Sequence, residues 1–229
     1  MRVAIMQPYF FPYLGYFQLI ASADVFVIYD DVNYINRGWI NRNCILANGH
    51  PQRISLALRN SSQNLLINQI EVLDTGEKLL QTVAQNYNKA PQFNAVFPLI
   101  EASIEYKKKN LSSYLAHSLK SVCETMGIQT PLIMSSRLQK DNTLKAEEKV
   151  LAICQELQAT HYLNSIGGRS LYDPKAFLDR GVELSFLQSR STVYPQFGKA
   201  FCPNLSIIDV LMFNDLQQRR SLLAEYDLL

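Results

Sequence analysis

Residues 2–31, RVAIMQPYFFPYLGYFQLIASADVFVIYDD, run through a short apolar stretch, a proline-flanked aromatic loop, an apolar helical pattern and a second apolar stretch. A chain that begins in that order has few folds open to it. The runs at 3–6 and 25–29 are of the kind that strands buried on both faces show, the second being rich in β-branched and aromatic residues. Pro12 suits a first helical position, where its missing N–H would have no partner, so a helix is expected over 12–22. The unit is therefore β-α-β, the active-site half of an α/β domain. In open parallel sheets ligands bind beyond the carboxyl ends of the strands, so Gln7, Tyr9, Asp30 and Asp31 should border one crevice beside the helix N-terminus.

The α/β rhythm returns later in the chain. A strand at 131–135, a helix over 145–157, a strand at 161–164 and a strand at 182–187 complete the pattern. The expectation is an α/β, Rossmann-like three-layer fold with a five-stranded parallel sheet in the order 3-2-1-4-5, the N-terminal strand central. One α/β domain over 1–229 carries two insertions. A β-hairpin occupies about 37–58 and turns at Asn48-Gly49, a strong short-range hairpin signal. Helical patterns at 77–88, 97–108 and 111–126 form an insertion over about 77–126, after a polar stretch at 60–75 with a weak strand over 65–72. The Leu-rich tail reads as a helix.

Composition narrows the partners. Lys and Arg number 22 against 20 Asp and Glu, a formal net charge of +2, with no basic block to require nucleic acid or a membrane surface. No apolar run approaches the roughly 20 residues of a membrane span, and the start lacks the pattern of a signal peptide, so a cytoplasmic protein is expected. Cys44, Cys123, Cys154 and Cys202 show no CxxC spacing and form no ligand pattern with His50, His117 and His161; reduced thiols and no metal site are expected.

Chemistry-bearing residues gather at strand ends. Tyr13 and Tyr16 lie on one helix face with Gly15 between them, where close approach to the helix is open. Alternation puts Trp39, Asn41 and Asn43 on one face of the hairpin strand, and Arg37 just before them is the candidate cation for a phosphate or carboxylate. After the strand that ends near Asn164, Gly167 and Gly168 allow a sharp turn whose N–H groups would meet an anion, with Arg169 adding charge. In the aromatic loop before the last helices, Gln196 and Asn204 are candidate reader side chains, and Ser206 with Asp209 has capping-box spacing.

Two resemblances follow from these residues. Tyr13-Leu14-Gly15-Tyr16 resembles, with both histidines replaced by tyrosine, the His-x-Gly-His signature of the nucleotidylyltransferase and class I synthetase superfamily, which includes pantothenate synthetase. Over nearly the whole chain, QPYFFPYLGYFQLI, DVFVIYDDV, RGWINRN, the GGR turn and YPQFGKAFCPNLSIIDVLMFN resemble the WbqC-like protein family. That resemblance implies bacterial lipopolysaccharide O-antigen or other surface-polysaccharide synthesis. Together the two imply an enzyme that binds a nucleotide or nucleotide-activated sugar and transfers an acyl or aminoacyl group from a small acyl or amino-acid donor to an amino sugar, with ATP and magnesium as cofactors. Asp30, Asp31 and Arg37 are the expected catalytic groups. Gln7, Tyr9, Tyr13, Gly15, Tyr16, Trp39, Asn41, Asn164, Gly167, Gly168, Arg169, Gln196 and Asn204 are the expected ligand-binding groups. A sugar nucleotidyltransferase and a non-catalytic scaffold of a polysaccharide assembly pathway are the alternatives.

Overall fold

In the computed structural model, which describes residues 1–73, 76–198 and 200–229, the first strand is the axis of the molecule. The end of the polar stretch 60–75 and position 199 of the aromatic loop before the last helices lie outside the described residues. Strand β1 (Arg2–Met6) pairs in parallel with β2 (Val25–Ile28) on one side, and on the other with a strand 159 residues further on, at His161–Ser165. Between β1 and β2 runs α1 (Leu14–Ser22). The hairpin β3 (Arg42–Ala47) and β4 (His50–Ser55) follows, then the small pair β5 (Leu58–Arg59) and β6 (Glu71–Val72). The weak strand expected over 65–72 thus shrinks to β6, because 67–69 forms a 3-10 turn.

Helices α2 (Gly76–Tyr87), α3 (Phe93–Ile104) and α4 (Leu111–Met126) come next, then β7 (Leu132–Met134), α5 (Ala146–Glu156), β8 (His161–Ser165), α6 (Pro174–Leu178) and β9 (Glu183–Ser189). Helices α7 (Ile207–Phe213) and α8 (Leu216–Leu223) precede β10 (Tyr226–Leu228). The sheet runs β10-β9-β8-β1-β2-β7, six strands of mixed direction. Five are mutually parallel, and β10 lies antiparallel on β9. The expectation of a wholly parallel five-stranded sheet is corrected by that edge strand.

The extra strand has a local cause. Gln18, fully buried in α1, donates from Nε2 to the carbonyls of Leu222 (2.7 Å) and Glu225 (3.0 Å) and accepts from Ser189 Oγ at 2.6 Å. These bonds satisfy a buried amide and turn the tail off α8 onto the sheet edge. A three-residue strand is too short to show a period in sequence.

Side chains alternate across β1 and β2, and each face has its own core. Ala4, Phe26 and Ile28 pack with α1, α4 and α7, while Val3, Ile5 and Val27 pack with Val150, Ile153 and Phe177 of α5 and α6. Helices therefore cover both faces, as buried apolar strands require. Helix α1 starts at Leu14, later than expected, because the Pro12 carbonyl accepts from Ile207 N–H (2.8 Å) instead of opening the helix.

Candidate functional site

The loop after β1 is held in a conformation that its own sequence disfavours. Phe11 has φ 40°, in the left-handed region that costs a bulky side chain energy. What holds it is polar. Asn43 of β3 donates from Nδ2 to the carbonyls of Phe10 (3.1 Å) and Phe11 (2.7 Å), and Ser206 Oγ donates to Phe11 at 2.8 Å. Phe10 N–H reaches the Trp39 carbonyl at 3.4 Å, and Ser206 N–H the Cys44 carbonyl at 2.8 Å. Three segments far apart in sequence, the first loop, the hairpin and the loop before α7, are thereby pinned to one another.

Where they meet lies a cavity of about 210 Å³ lined by Tyr9, Pro12, Tyr13, Trp39, Asn43 and Asn204. Four of these are residues expected from sequence: Tyr9, Tyr13, Trp39 and Asn204. Asn43, the pin, was recognised only as sharing the face of Trp39. Asn204 of this lining has positive φ (58°), as does Arg37 (61°), two residues before Trp39 in the chain. Strained backbone persists only where surrounding structure over-determines it, and it clusters at ligand sites.

Polar groups in this neighbourhood divide into engaged and free. The phenols of Tyr9 and Tyr13, the Asn204 amide and the exposed Arg37 guanidinium have no hydrogen-bond partner among the described residues. Burial pushes the Tyr9 and Tyr13 phenols above their ordinary pKa, a nearby Tyr13 adding to the effect on Tyr9, so both keep the proton and can donate. Trp39 is 53% exposed, so its ring in the cavity wall is open to a ligand.

Tyr16 stands apart from its neighbours. It is fully buried, its ring packs against Tyr9 at 5.5 Å and Phe26 at 5.4 Å, and its hydroxyl donates to the Gln7 carbonyl at 2.9 Å. The expected phosphate contact from Tyr16 is thus corrected: core packing claims the ring and the hydroxyl closes the β1 loop through Gln7. Gly15 serves close packing. A Cβ there would overlap Ser189 Oγ and the Tyr13 ring. Gly15→Ala is therefore expected to displace Tyr13 from the cavity wall, weakening ligand binding while lowering stability by about 1–3 kcal/mol, the usual cost of overpacking; parallel binding and urea-unfolding titrations check it.

Asp30 and Asp31 diverge at the end of β2. Asp30, 1% exposed, accepts from Ser136 N–H (2.9 Å), Ser136 Oγ (2.7 Å) and Asn68 Nδ2 (3.4 Å). Asp31 turns the other way, its Oδ2 lying 2.8 Å from Lys140 Nζ and 3.1 Å from Lys149 Nζ, with both ammonium groups buried. Lys149 also donates to the Asp31 carbonyl at 2.6 Å, and Lys140 to that of Ser135. The two carboxylates tie the strand ends to 135–149; neither lines the aromatic cavity.

Several other expected site residues prove to have internal tasks. Asn41 accepts from the Tyr34 hydroxyl (2.8 Å) and donates to Leu56 (2.9 Å), closing the base of the hairpin. Asn164 accepts from Ser165 N–H at 2.8 Å, and its amide fills the space that a Cβ on Gly168 would need. Gly167, Gly168 and Arg169 sit in a 3-10 turn over Ile166–Leu171 without positive φ at the glycines, so no anion nest forms, and Arg169 is exposed away from the aromatic cavity. Gln196 donates to Asp209 Oδ2 (2.6 Å) and Cys202 (3.1 Å) and accepts from Cys202 N–H (2.8 Å). Ser206 caps α7 as expected, but Asp209 is no capping-box partner: it is a buried carboxylate taking Tyr87, Tyr194 and Gln196.

Among the described residues no group of three or more His, Cys, Asp or Glu is placed to hold a metal ion, and no helix is long and apolar enough to cross a membrane. The model of the WbqC-like protein family matches residues 7–221. A protein of Mycobacterium tuberculosis (strain ATCC 25618 / H37Rv), named only as uncharacterized protein Rv1507c, is 30% identical over 220 residues, covering 93% of each chain. No solved structure matches the chain.

Proposed function

The chain belongs to the WbqC-like protein family, and from that premise we propose that it is an enzyme of bacterial surface-polysaccharide synthesis that uses a nucleotide-activated ligand to transfer an acyl or aminoacyl group to an amino sugar. The observation that carries this reading is the cavity whose aromatic walls, Tyr9, Tyr13 and Trp39, are accompanied by free polar groups at the carboxyl end of β1. Pyranose rings and nucleobases both present flat faces to aromatic side chains and edges to hydroxyl and amide groups. A volume of about 210 Å³ suits one such ring rather than a whole nucleotide sugar.

In this reading Trp39 and Tyr13 hold the ring, and Asn204 and the two phenols bond its edge. Joining an activated acyl group to an amine requires no covalent nucleophile from the protein. Holding the two partners in reacting geometry supplies the main advantage, and fixed donors stabilise the charge that develops. Magnesium would travel on the phosphates of ATP, since the described residues offer no carboxylate cluster for it. Asp30 and Asp31 act by keeping the strand ends in place.

A ligand that binds only the folded state raises the melting temperature by mass action. Thermal-shift screening of nucleotides, nucleotide sugars and amino acids, with and without magnesium, should give a concentration-dependent rise for a nucleotide-containing member. A flat response to every nucleotide at millimolar concentration would favour a non-catalytic accessory. Trp39→Ala, at an exposed position, should leave the unliganded melting temperature within a degree or so while weakening the ligand by about tenfold to a hundredfold, as loss of an aromatic stacking partner does.

A further inference from the structure

A second and larger cavity opens at the same edge of the sheet. It measures about 630 Å³ and lies at the carboxyl ends of β2 and β7, floored by Ile28, Leu132 and Met134. Its walls bring in Lys108, His117 and Lys120 from the α4 side and Arg137 from the turn after β7. Among the described residues Asp30 is the one carboxylate in the lining, and it is already engaged by Ser136 and Asn68. Lys108 and Arg137 have no partner among the described residues, and Lys120 has only an exposed contact with Glu124 at 3.9 Å. Cations gathered around one concavity repel one another unless an anion sits among them.

The imidazole is aimed rather than free. His117 stacks on Tyr106 with centroids 3.9 Å apart and rings 8° from parallel, which fixes its plane at the cavity wall. Desolvation first, and then Lys120, hold its pKa below the ordinary value against the opposing effect of Glu124, so at neutral pH an imidazole stands there ready to take a proton. The charges facing it are Lys120 and Glu124 from its own helix, Lys108 from the preceding segment, and Asp30 and Arg137 from the strand ends, with Tyr106 beneath it.

We propose that this basic cleft is an anion subsite that takes the phosphate ester or diphosphate of the activated ligand, with Lys108, Lys120 and Arg137 supplying charge and His117 a directed hydrogen bond. The assignment rests on the reading that the ligand is nucleotide-activated, and it places the phosphates beside β2 and β7 instead of at the GGR turn. Multivalent phosphate binding by exposed cations should also weaken steeply with added salt.

The test uses inorganic pyrophosphate as probe. Titrated at low salt into the full chain carrying 15N-labelled histidine, it should move the ring signals of His117 selectively over those of His50 and His161, and raise the pH at which His117 titrates. Lys108→Ala/Lys120→Ala, both at exposed positions, should weaken pyrophosphate at least tenfold with an unchanged melting temperature. Melting shifts of that variant with ATP and with a nucleotide sugar then assign the source: the ligand whose shift is lost is the one whose phosphates the cleft holds. Pyrophosphate that perturbs Trp39 emission but not His117 would overturn the subsite while leaving the nucleotide reading intact, because the anion would then lie by Arg37. A His117 response that survives the double variant unchanged would overturn it too. Failure of the functional reading is a different result, namely no melting shift with any nucleotide in the unsubstituted chain.

Discussion

Asp31→Ala is expected to cost about 3–5 kcal/mol, because it leaves the ammonium groups of Lys140 and Lys149 buried without their carboxylate. For a chain of this length that is a fall in melting temperature of about 10 °C. Asp31→Asn should be costly as well, since a neutral amide removes the charge that both lysines face. The pH dependence follows from the direction of the shift. Burial alone would raise the Asp31 carboxyl, but hydrogen bonds from Lys140, Ser135 and Lys149 outweigh it and hold the pKa below the ordinary carboxylate value. A depressed folded pKa contributes stability that is fully present above the unfolded pKa of about 3.9 and is lost as pH falls through the folded value. Urea unfolding at pH 7 and near pH 3 should therefore show the gap between parent and Asp31→Asn narrowing in acid. A gap as wide in acid as at neutrality would contradict the ion-pair account, and unchanged stability at pH 7 would restore Asp31 to the list of ligand-facing groups.

Asp209→Ala should be comparably severe and should reach the aromatic cavity. Its Oδ1 takes the Tyr87 hydroxyl at 2.9 Å, and its Oδ2 takes Tyr194 at 2.7 Å and Gln196 at 2.6 Å. Removing the carboxylate leaves these donors unpaired in the interior, at a cost of about 3 kcal/mol or more. The damage extends to function because Gln196 clamps Cys202, two residues before Asn204. Ligand affinity should fall with stability, unlike Trp39→Ala, where affinity alone falls. Here the pH sign is reversed. Burial raises the Asp209 carboxyl above its ordinary value, and the three hydrogen bonds oppose that without overcoming it. A raised folded pKa means that this group's contribution is fully present below the unfolded value and is lost as pH rises through the folded one. Asp209→Asn, which removes the ionisation while keeping one acceptor oxygen, should thus compare more favourably with its parent at pH 8 than at pH 4 in the same unfolding assay.

The contrast between these carboxylates says what sequence could and could not carry. Each of the five strands expected near 3, 25, 131, 161 and 182 appears: β1 and β2 are legible as apolar runs buried on both faces, whereas β8 (HYLNS) and β9 (ELSFLQS) carry polar residues and are legible from the returning strand-helix rhythm. The antiparallel β10 left no such trace, since what places it is the buried amide of Gln18, more than two hundred residues away in the chain. A strand end pointed to Tyr9, the first helical turn to Tyr13, hairpin alternation to Trp39 and the late aromatic loop to Asn204, and the structure brings these four together. Whether a polar group there is free or engaged is a tertiary property. Tyr13 and Tyr16 look alike in sequence, yet one lines a cavity and the other is core. Asn41 and Asn43 share a strand face, yet one closes the hairpin and the other pins a strained loop. The Gly-Gly pair signalled an anion nest, but without positive φ it is a compact turn. Lys140, Lys149 and His117 gave no signal because their partners come from other elements.

Trp39 is the only tryptophan in the chain, and its place in the cavity wall makes its emission a direct reporter of occupancy. Whichever nucleotide or nucleotide sugar gives the largest melting shift should, on titration, change that emission saturably, with a midpoint matching the thermal data, and Asn204→Ala should move both midpoints together. Emission that stays constant while the same ligand raises the melting temperature would place the ligand elsewhere and contradict the assignment of this cavity as the ring-binding site.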